Sequence, residues 1–238
     1  ERHIDIVKVP RSSRGASTIM NLKIIYEDGN LLVVDKPAGI DIEGIKSALP
    51  EGSFPAHRLD KDTSGALLVA KNQETLDFLQ KQFQERRVDK KYVCLVEGNI
   101  PDKGGTIETL VGRAKGDKRK QKVYLAGEPG SGRDAKTEYR VLERFKARLP
   151  DGQDYTLLEV SPKTGRKHQI RAHMTYLGHP VVGDKLYGFK NQKVPTGLKR
   201  QFLHAAYLKV STPDGNTKEF ISALPQDLIL CLQQLKNS

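Results

Sequence analysis

Tryptophan is absent from this chain of 238 residues, and cysteine and methionine occur only twice each. Cys94 and Cys231 lie far apart, with no CxxC pair and no Cys/His cluster. A disulfide framework and a structural zinc site are therefore excluded, and both residues are expected as reduced core thiols of a cytoplasmic protein. No run approaches ~20 apolar residues, so no helix is expected to span a membrane. Residues 1–10 are polar and lack the apolar stretch of a secretory signal. The motifs GxxxxGK(S/T), GxGxxG and HExxH are also missing, which leaves nucleotide cradling and metallopeptidase chemistry without support. His168 and His173 are five residues apart, a poor spacing for one helical face, so no metal role is expected of them.

Acidic residues are in deficit: 29 Asp and Glu face 40 Lys and Arg, for a net charge of +11. The excess points to a polyanionic partner, nucleic acid ahead of membrane. Its distribution says more. Residues 111–123 hold six cations and one acid, residues 161–173 four cations and no acid, and residues 185–200 five cations and no acid. The rest of the chain is left at −3. A patchy positive field suits a polyanion-binding surface, with three solvated basic loops as the bland alternative. At this length folding buries roughly 70% of the extended chain's surface, enough for a core of one globular unit or two lobes.

Residues 1–21 read as a polar arm or linker remnant, and residues 22–238 as the folded domain. Short β-prone runs at 22–27 and 31–34 flank Asp28-Gly29-Asn30, a hairpin signal, and Lys36-Pro37-Ala38-Gly39 ends the second. After the apolar run 66–70, Asn72 can cap a helix bearing Leu76, Leu79 and Phe83 and ending on Arg86 and Arg87. The stretches 92–97, 106–111, 121–125, 135–145 and 155–160 are β-like, with Gly-rich turns such as 127–132 between them. Such succession argues for antiparallel meanders. Residues 165–176 read as a helix with Ile170, Met174 and Leu177 on one face and Gly178 as its stop. A hairpin over 202–222 and a last helix opened by Pro225 complete an α+β chain without internal repeats.

The polar segment Ala56-His57-Arg58-Leu59-Asp60-Lys61-Asp62-Thr63-Ser64-Gly65 stands between an irregular stretch and an apolar run. Loops entering strands are common seats of functional side chains, although Asp, Ser and Thr there can equally serve the backbone. Asp60-Lys61-Asp62-Thr63 also resembles the paired aspartates of phosphoryl-transfer enzymes, with the threonine one place early. A metal-dependent phosphatase using Asp60 and Asp62 would lose activity to a chelator.

His57-Arg58-Leu59-Asp60 followed by Asp62-Thr63-Ser64-Gly65 resembles the signature of the RNA pseudouridine synthases that act on uridines in ribosomal and transfer RNA. Further stretches match in order: Ile25-Tyr26-Glu27-Asp28, Val34-Asp35-Lys36-Pro37-Ala38-Gly39, Lys90-Lys91-Tyr92, and Thr164-Gly165-Arg166-Lys167-His168-Gln169-Ile170-Arg171-Ala172-His173. Gly178-His179-Pro180, Gly183-Asp184, Tyr187-Gly188 and Phe202-Leu203-His204-Ala205 continue the series. The resemblance implies a mixed, mostly antiparallel central sheet with flanking helices and a catalytic cleft. It implies three catalytic residues: Asp60 as the required aspartate, Tyr92 packed against the target base and a proton acceptor, and Arg171 paired with Asp60. It places Ile170 in the base pocket, makes Arg58 a residue that fills the gap left by the extracted base, and counts His57 among the substrate-binding residues.

Those residue types suit the reaction. Uridine isomerisation exchanges the N1–C1′ bond for C5–C1′ and is redox-neutral, so no cofactor or metal is expected. A carboxylate working in a pocket that excludes water needs an adjacent permanent cation to stay ionised. Flipping a base out of folded RNA costs a few kcal/mol. Stacking on Tyr92 and phosphate contacts from Lys118, Arg119, Lys120 and Lys122, on a projecting hairpin, can offset it. The expected partner is RNA, ribosomal ahead of transfer RNA, bound by a monomer without membrane contact. A non-catalytic RNA-binding protein keeping the fold is the rival reading. The family pattern is not followed after Gly39, where Ile40-Asp41-Ile42-Glu43-Gly44 leads quickly to His57, nor at the start, where relatives often carry a small RNA-binding domain.

Overall fold

The computed structural model describes residues 22–125, 128, 132–146 and 152–237. The expected arm at 1–21 lies outside the described residues, as does the turn at 127–132 apart from Glu128 and Gly132. The chain divides into two compact units, Glu1–Asp89 with Ala205–Ala223 and Lys90–His204 with Leu224–Ser238.

In the first unit the expected hairpin forms from β1 (Lys23–Glu27) and β2 (Leu31–Lys36). Its turn is held by Asp28, whose Oδ1 accepts from the Asn30 and Leu31 N–H groups at 2.9 and 2.7 Å. A short helix, α1 (Ile42–Ala48), follows where the sequence reads as irregular; Asp41 caps it by accepting from Gly44 N–H, and Ile45 is its buried residue. Strand β4 (Ser64–Ala70) pairs antiparallel with β2 and with the two-residue β3 (Phe54–Pro55), and it neighbours β10 (Leu203–Ser211). All seven β4 residues are buried. Gly65 permits this packing, because its φ is +122° and a Cβ there would stand 2.3 Å from the Ala205 carbonyl oxygen. Strand β11 (Thr217–Ile221) completes the hairpin with β10.

Helix α2 (Gln73–Gln84) lays Leu76 and Leu79 on Leu31, Leu68 and Leu208, and its Asn72 cap accepts from Thr75 N–H at 2.8 Å. It stops before the expected Arg86 and Arg87, because Arg86 takes a left-handed φ of 60°.

The second unit is an antiparallel sheet in the order β5 (Asp89–Glu97), β9 (Tyr155–Pro162), β8 (Gly132–Phe145), β6 (Gly104–Arg113) and β7 (Gln121–Tyr124); it is not the meander expected, because β9 lies beside β5 and β6 beside β8. Alternation along the strands gives each face its own helix. Ile170 and Met174 of α3 (Gln169–Tyr176) pack on Cys94, Val96, Leu158 and Val160. Leu228 and Cys231 of α4 (Gln226–Asn237) pack on Leu95 and Leu157 opposite. Both thiols are free and buried, and burial pushes them up, Cys231 to about 11. Helix α3 is four residues shorter than expected at its start, because His168 sits at a left-handed φ of 53°. The class is α+β. No helix among the described residues is long and apolar enough to cross a membrane.

Candidate active site

In the first unit, Asp60 is half-buried on the polar loop before β4, between buried Leu59 and buried Thr63. Its carbonyl oxygen accepts from Thr63 N–H at 3.0 Å, which closes a turn. The loop is fastened from beneath by Lys36, which is fully buried at the end of β2. Its ammonium donates to the carbonyl oxygens of Lys61 at 3.0 Å, Thr63 at 2.9 Å and Pro37 at 2.9 Å. Gly39 N–H donates to Lys61 O as well, at 3.0 Å. A cation can be buried when its protons are all met, and here backbone dipoles meet them. Arg58 is exposed, while the His57 ring lies 4.9 Å from that of Phe83 and its Nε2 accepts from Leu68 N–H at 3.0 Å. That bond fixes the neutral tautomer with the proton on Nδ1.

In the second unit, Tyr92 and Ile170 meet in one apolar cluster: Ile170 is buried in it and half-buried Tyr92 packs against it, opposite Val160 in the ladder. Arg171, next to Ile170 on α3, is a buried ion pair rather than a surface one. Its Nε and Nη2 donate to the Asp184 carboxylate at 2.6 and 2.9 Å, a two-pronged contact that fixes the guanidinium plane. Asp184 Oδ1 also accepts from the N–H groups of Leu186 and Tyr187, at 2.9 and 3.0 Å. The Tyr187 ring centroid lies 4.9 Å from the guanidinium carbon, and the Tyr187 hydroxyl accepts from Gln121 N–H at 2.6 Å and meets His168 Nδ1 at 3.0 Å. Asp184 and Tyr187 belong to matched motif stretches but are not among the site residues expected from the sequence.

The expected basic hairpin is present as β6 and β7, with residues 114–120 as its turn. Lys118, Arg119 and Lys122 are exposed and Lys120 is half-buried. They are not equivalent: Arg119 donates to Asp117 through Nε and Nη2 at 3.0 and 2.8 Å, while Lys122 stands 3.9 Å from Glu128. Burial and the Lys163 charge bring the Lys90 ammonium down to about 8.

His173 is buried between the Thr109 and Thr137 hydroxyls, at 3.0 and 2.8 Å, and burial lowers its pKa to about 4. Among the described residues, no group of three or more His, Cys, Asp or Glu side chains could hold a metal ion.

Residues 30–176 match the sequence model of the RNA pseudouridylate synthases. The chain belongs to the RNA pseudouridine synthase family. It is 36% identical, over 91% of its length and 69% of the relative's, to ribosomal large subunit pseudouridine synthase D of Borreliella burgdorferi. To ribosomal large subunit pseudouridine synthase C of Escherichia coli it is 36% identical over 90% of its length and 70% of the relative's. Among solved structures, human RNA pseudouridylate synthase domain containing 1 superposes with a TM-score of 0.76 at 30% identity, covering 94% of this chain and 98% of that one. As a pseudouridine synthase the protein is an isomerase. Asp60, Tyr92, Ile170 and Arg171 all fall inside the matched span, whereas Asp184 and Tyr187 fall beyond it. The signal that could have found Asp184 is its lone acid beside a basic segment, three residues before a tyrosine.

Proposed function

We propose that the protein converts uridine to pseudouridine in ribosomal RNA of the large subunit, with Asp60 as its catalytic carboxylate. The observation that carries this reading is the family match over residues 30–176, a span that contains Asp60, Tyr92 and Arg171. The relatives named for the large ribosomal subunit supply the substrate class. A cytoplasmic place of work is part of the same proposal.

In the proposed reaction the uridine is flipped out of the RNA, and Tyr92 and Ile170 take its base. The N1–C1′ bond breaks, the uracil turns, C5 bonds to C1′, the C5 proton leaves and N1 gains one. Asp60 opens the sequence by attacking C1′ or by taking a sugar proton to drive elimination; both need the carboxylate ionised. Arg171, buried and oriented by Asp184, is the permanent cation assigned to accompany it. A loop clamped by Lys36 suits the task, since a misplaced carboxylate forfeits the gain from orientation.

The test is release of tritium from C5-labelled uridine in ribosomal RNA, with pseudouridine positions mapped in cells with and without the gene. Asp60→Asn should show no turnover above background while holding RNA with near wild-type affinity. Turnover by that variant would sink the assignment. A wild-type protein that binds RNA and never turns it over would favour the non-catalytic reading.

A further inference from the structure

The segment that follows Asp184 has a feature that the site does not use. Phe189 is 50% exposed, and the turn that presents it is tightly constructed. Gln192 N–H donates to Phe189 O at 3.1 Å, closing the turn. The Gln192 side chain then staples it: Oε1 accepts from Gly183 N–H at 3.0 Å, and Nε2 donates to Val181 O at 3.2 Å. Gly188 N–H donates to Asp184 O at 2.8 Å, and a Cβ at Gly188 would come within 2.6 Å of that oxygen, so the approach requires glycine. Beyond the turn, the Tyr155 hydroxyl donates to Lys193 O at 2.9 Å. An exposed phenylalanine on a floppy loop would mean little. This one is held at both ends, and its strand of chain begins at the carboxylate that orients Arg171.

Its neighbours define what can sit on it. Lys185, Lys190, Lys193 and Lys199 are exposed, and residues 185–200 contain no acid. An apolar protein partner would have to desolvate these ammonium groups. A nucleic acid would not, because it offers a π-face to the ring and phosphates to the lysines in one strand. We propose that Phe189 is a stacking platform for an unpaired RNA base lying outside the pocket of the reacting uridine, with Lys185 and Lys190 contacting the flanking phosphates. The proposal rests on the RNA substrate argued above and deepens it by adding a second, non-reacting base contact.

The test measures equilibrium binding of the whole chain to a ribosomal RNA fragment across a salt series, alongside turnover. Phe189→Ala should bind about 5- to 100-fold more weakly with an unchanged slope of log affinity against log salt, since it removes stacking and no charge. Lys190→Gln should instead lower that slope by roughly one. Phe189→Tyr should restore affinity and Phe189→Leu should not. Wild-type affinity in the leucine variant would overturn the proposal, because an aliphatic side chain fills the space without a π-face. So would an equal loss on fully duplexed RNA. Because the readout is affinity, a wild-type protein that binds without turnover would remove the enzymatic reading and leave this one standing.

Discussion

Asp60 and Arg171, the two charges assigned to the chemistry, are immobilised by opposite means. Asp60 is half-buried, and the backbone of its loop is anchored by the buried ammonium of Lys36, which gathers the Lys61 and Thr63 carbonyls from the loop together with that of Pro37. Arg171 is buried, and its own side chain is the anchor, through the two-pronged bond to Asp184. A cation that must only persist can be clamped directly.

The strongest way to break this contrast is at Lys36. Lys36→Met leaves buried carbonyls short of a donor and should cost roughly 2–5 kcal/mol of stability, read as a lowered denaturant midpoint. An unchanged midpoint would mean that the clamp is ornamental. Asp184→Asn keeps the shape but removes the charge, leaving a buried guanidinium without its carboxylate. Breaking such pairs costs about 3 kcal/mol or somewhat more, and turnover should fall at least tenfold while RNA affinity stays near wild type. Equal losses in both readouts would show that Asp184 serves the fold alone.

A third prediction concerns pH. His173 titrates at about 4 in the folded protein against 6.5 for an unperturbed imidazole, so the unfolded chain binds the extra proton first. Its contribution to stability is therefore complete above pH 6.5 and is lost as pH falls toward 4, by up to about 3 kcal/mol. His173→Gln should flatten the acid side of the stability curve.

The smallest effects on the fold belong to the hairpin. Replacing Lys118, Arg119, Lys120 and Lys122 with Gln should leave stability within about 0.5 kcal/mol yet flatten the salt dependence of RNA binding. Of the four single changes, Arg119→Gln should matter least, because Asp117 already engages that guanidinium.

Local chemistry explains which parts were legible in advance. The Asn72 cap, the Asp28 turn and the β-like run at 92–97 are written in neighbouring residues, and the structure places them as expected. Helix α1 escaped notice because seven residues carry only one buried apolar side chain. The early start expected for α3 failed at His168, whose left-handed backbone carries no signature in the sequence. Asp60, Tyr92 and Arg171 could be named from the motif resemblance alone. Their holders could not: Lys36 reaches carbonyls 25 and 27 residues away, and Asp184 reaches back 13. Lys36 did leave a trace, standing in register with buried Leu32 and Val34 on one face of β2, where an apolar residue belongs.

The hydroxyl of Tyr187 has a consequence for how this chain can vary. It accepts from Gln121 N–H, the first residue of β7, while its ring lies under the Arg171 guanidinium. The tip of the hairpin can therefore lengthen or shorten without the catalytic end registering it, as exposed turns generally allow. A residue gained or lost at Gln121 shifts the register of β7 against the very ring that supports the arginine. Length polymorphism among close kin of this protein should accordingly gather at residues 115–119 and stop at the stem.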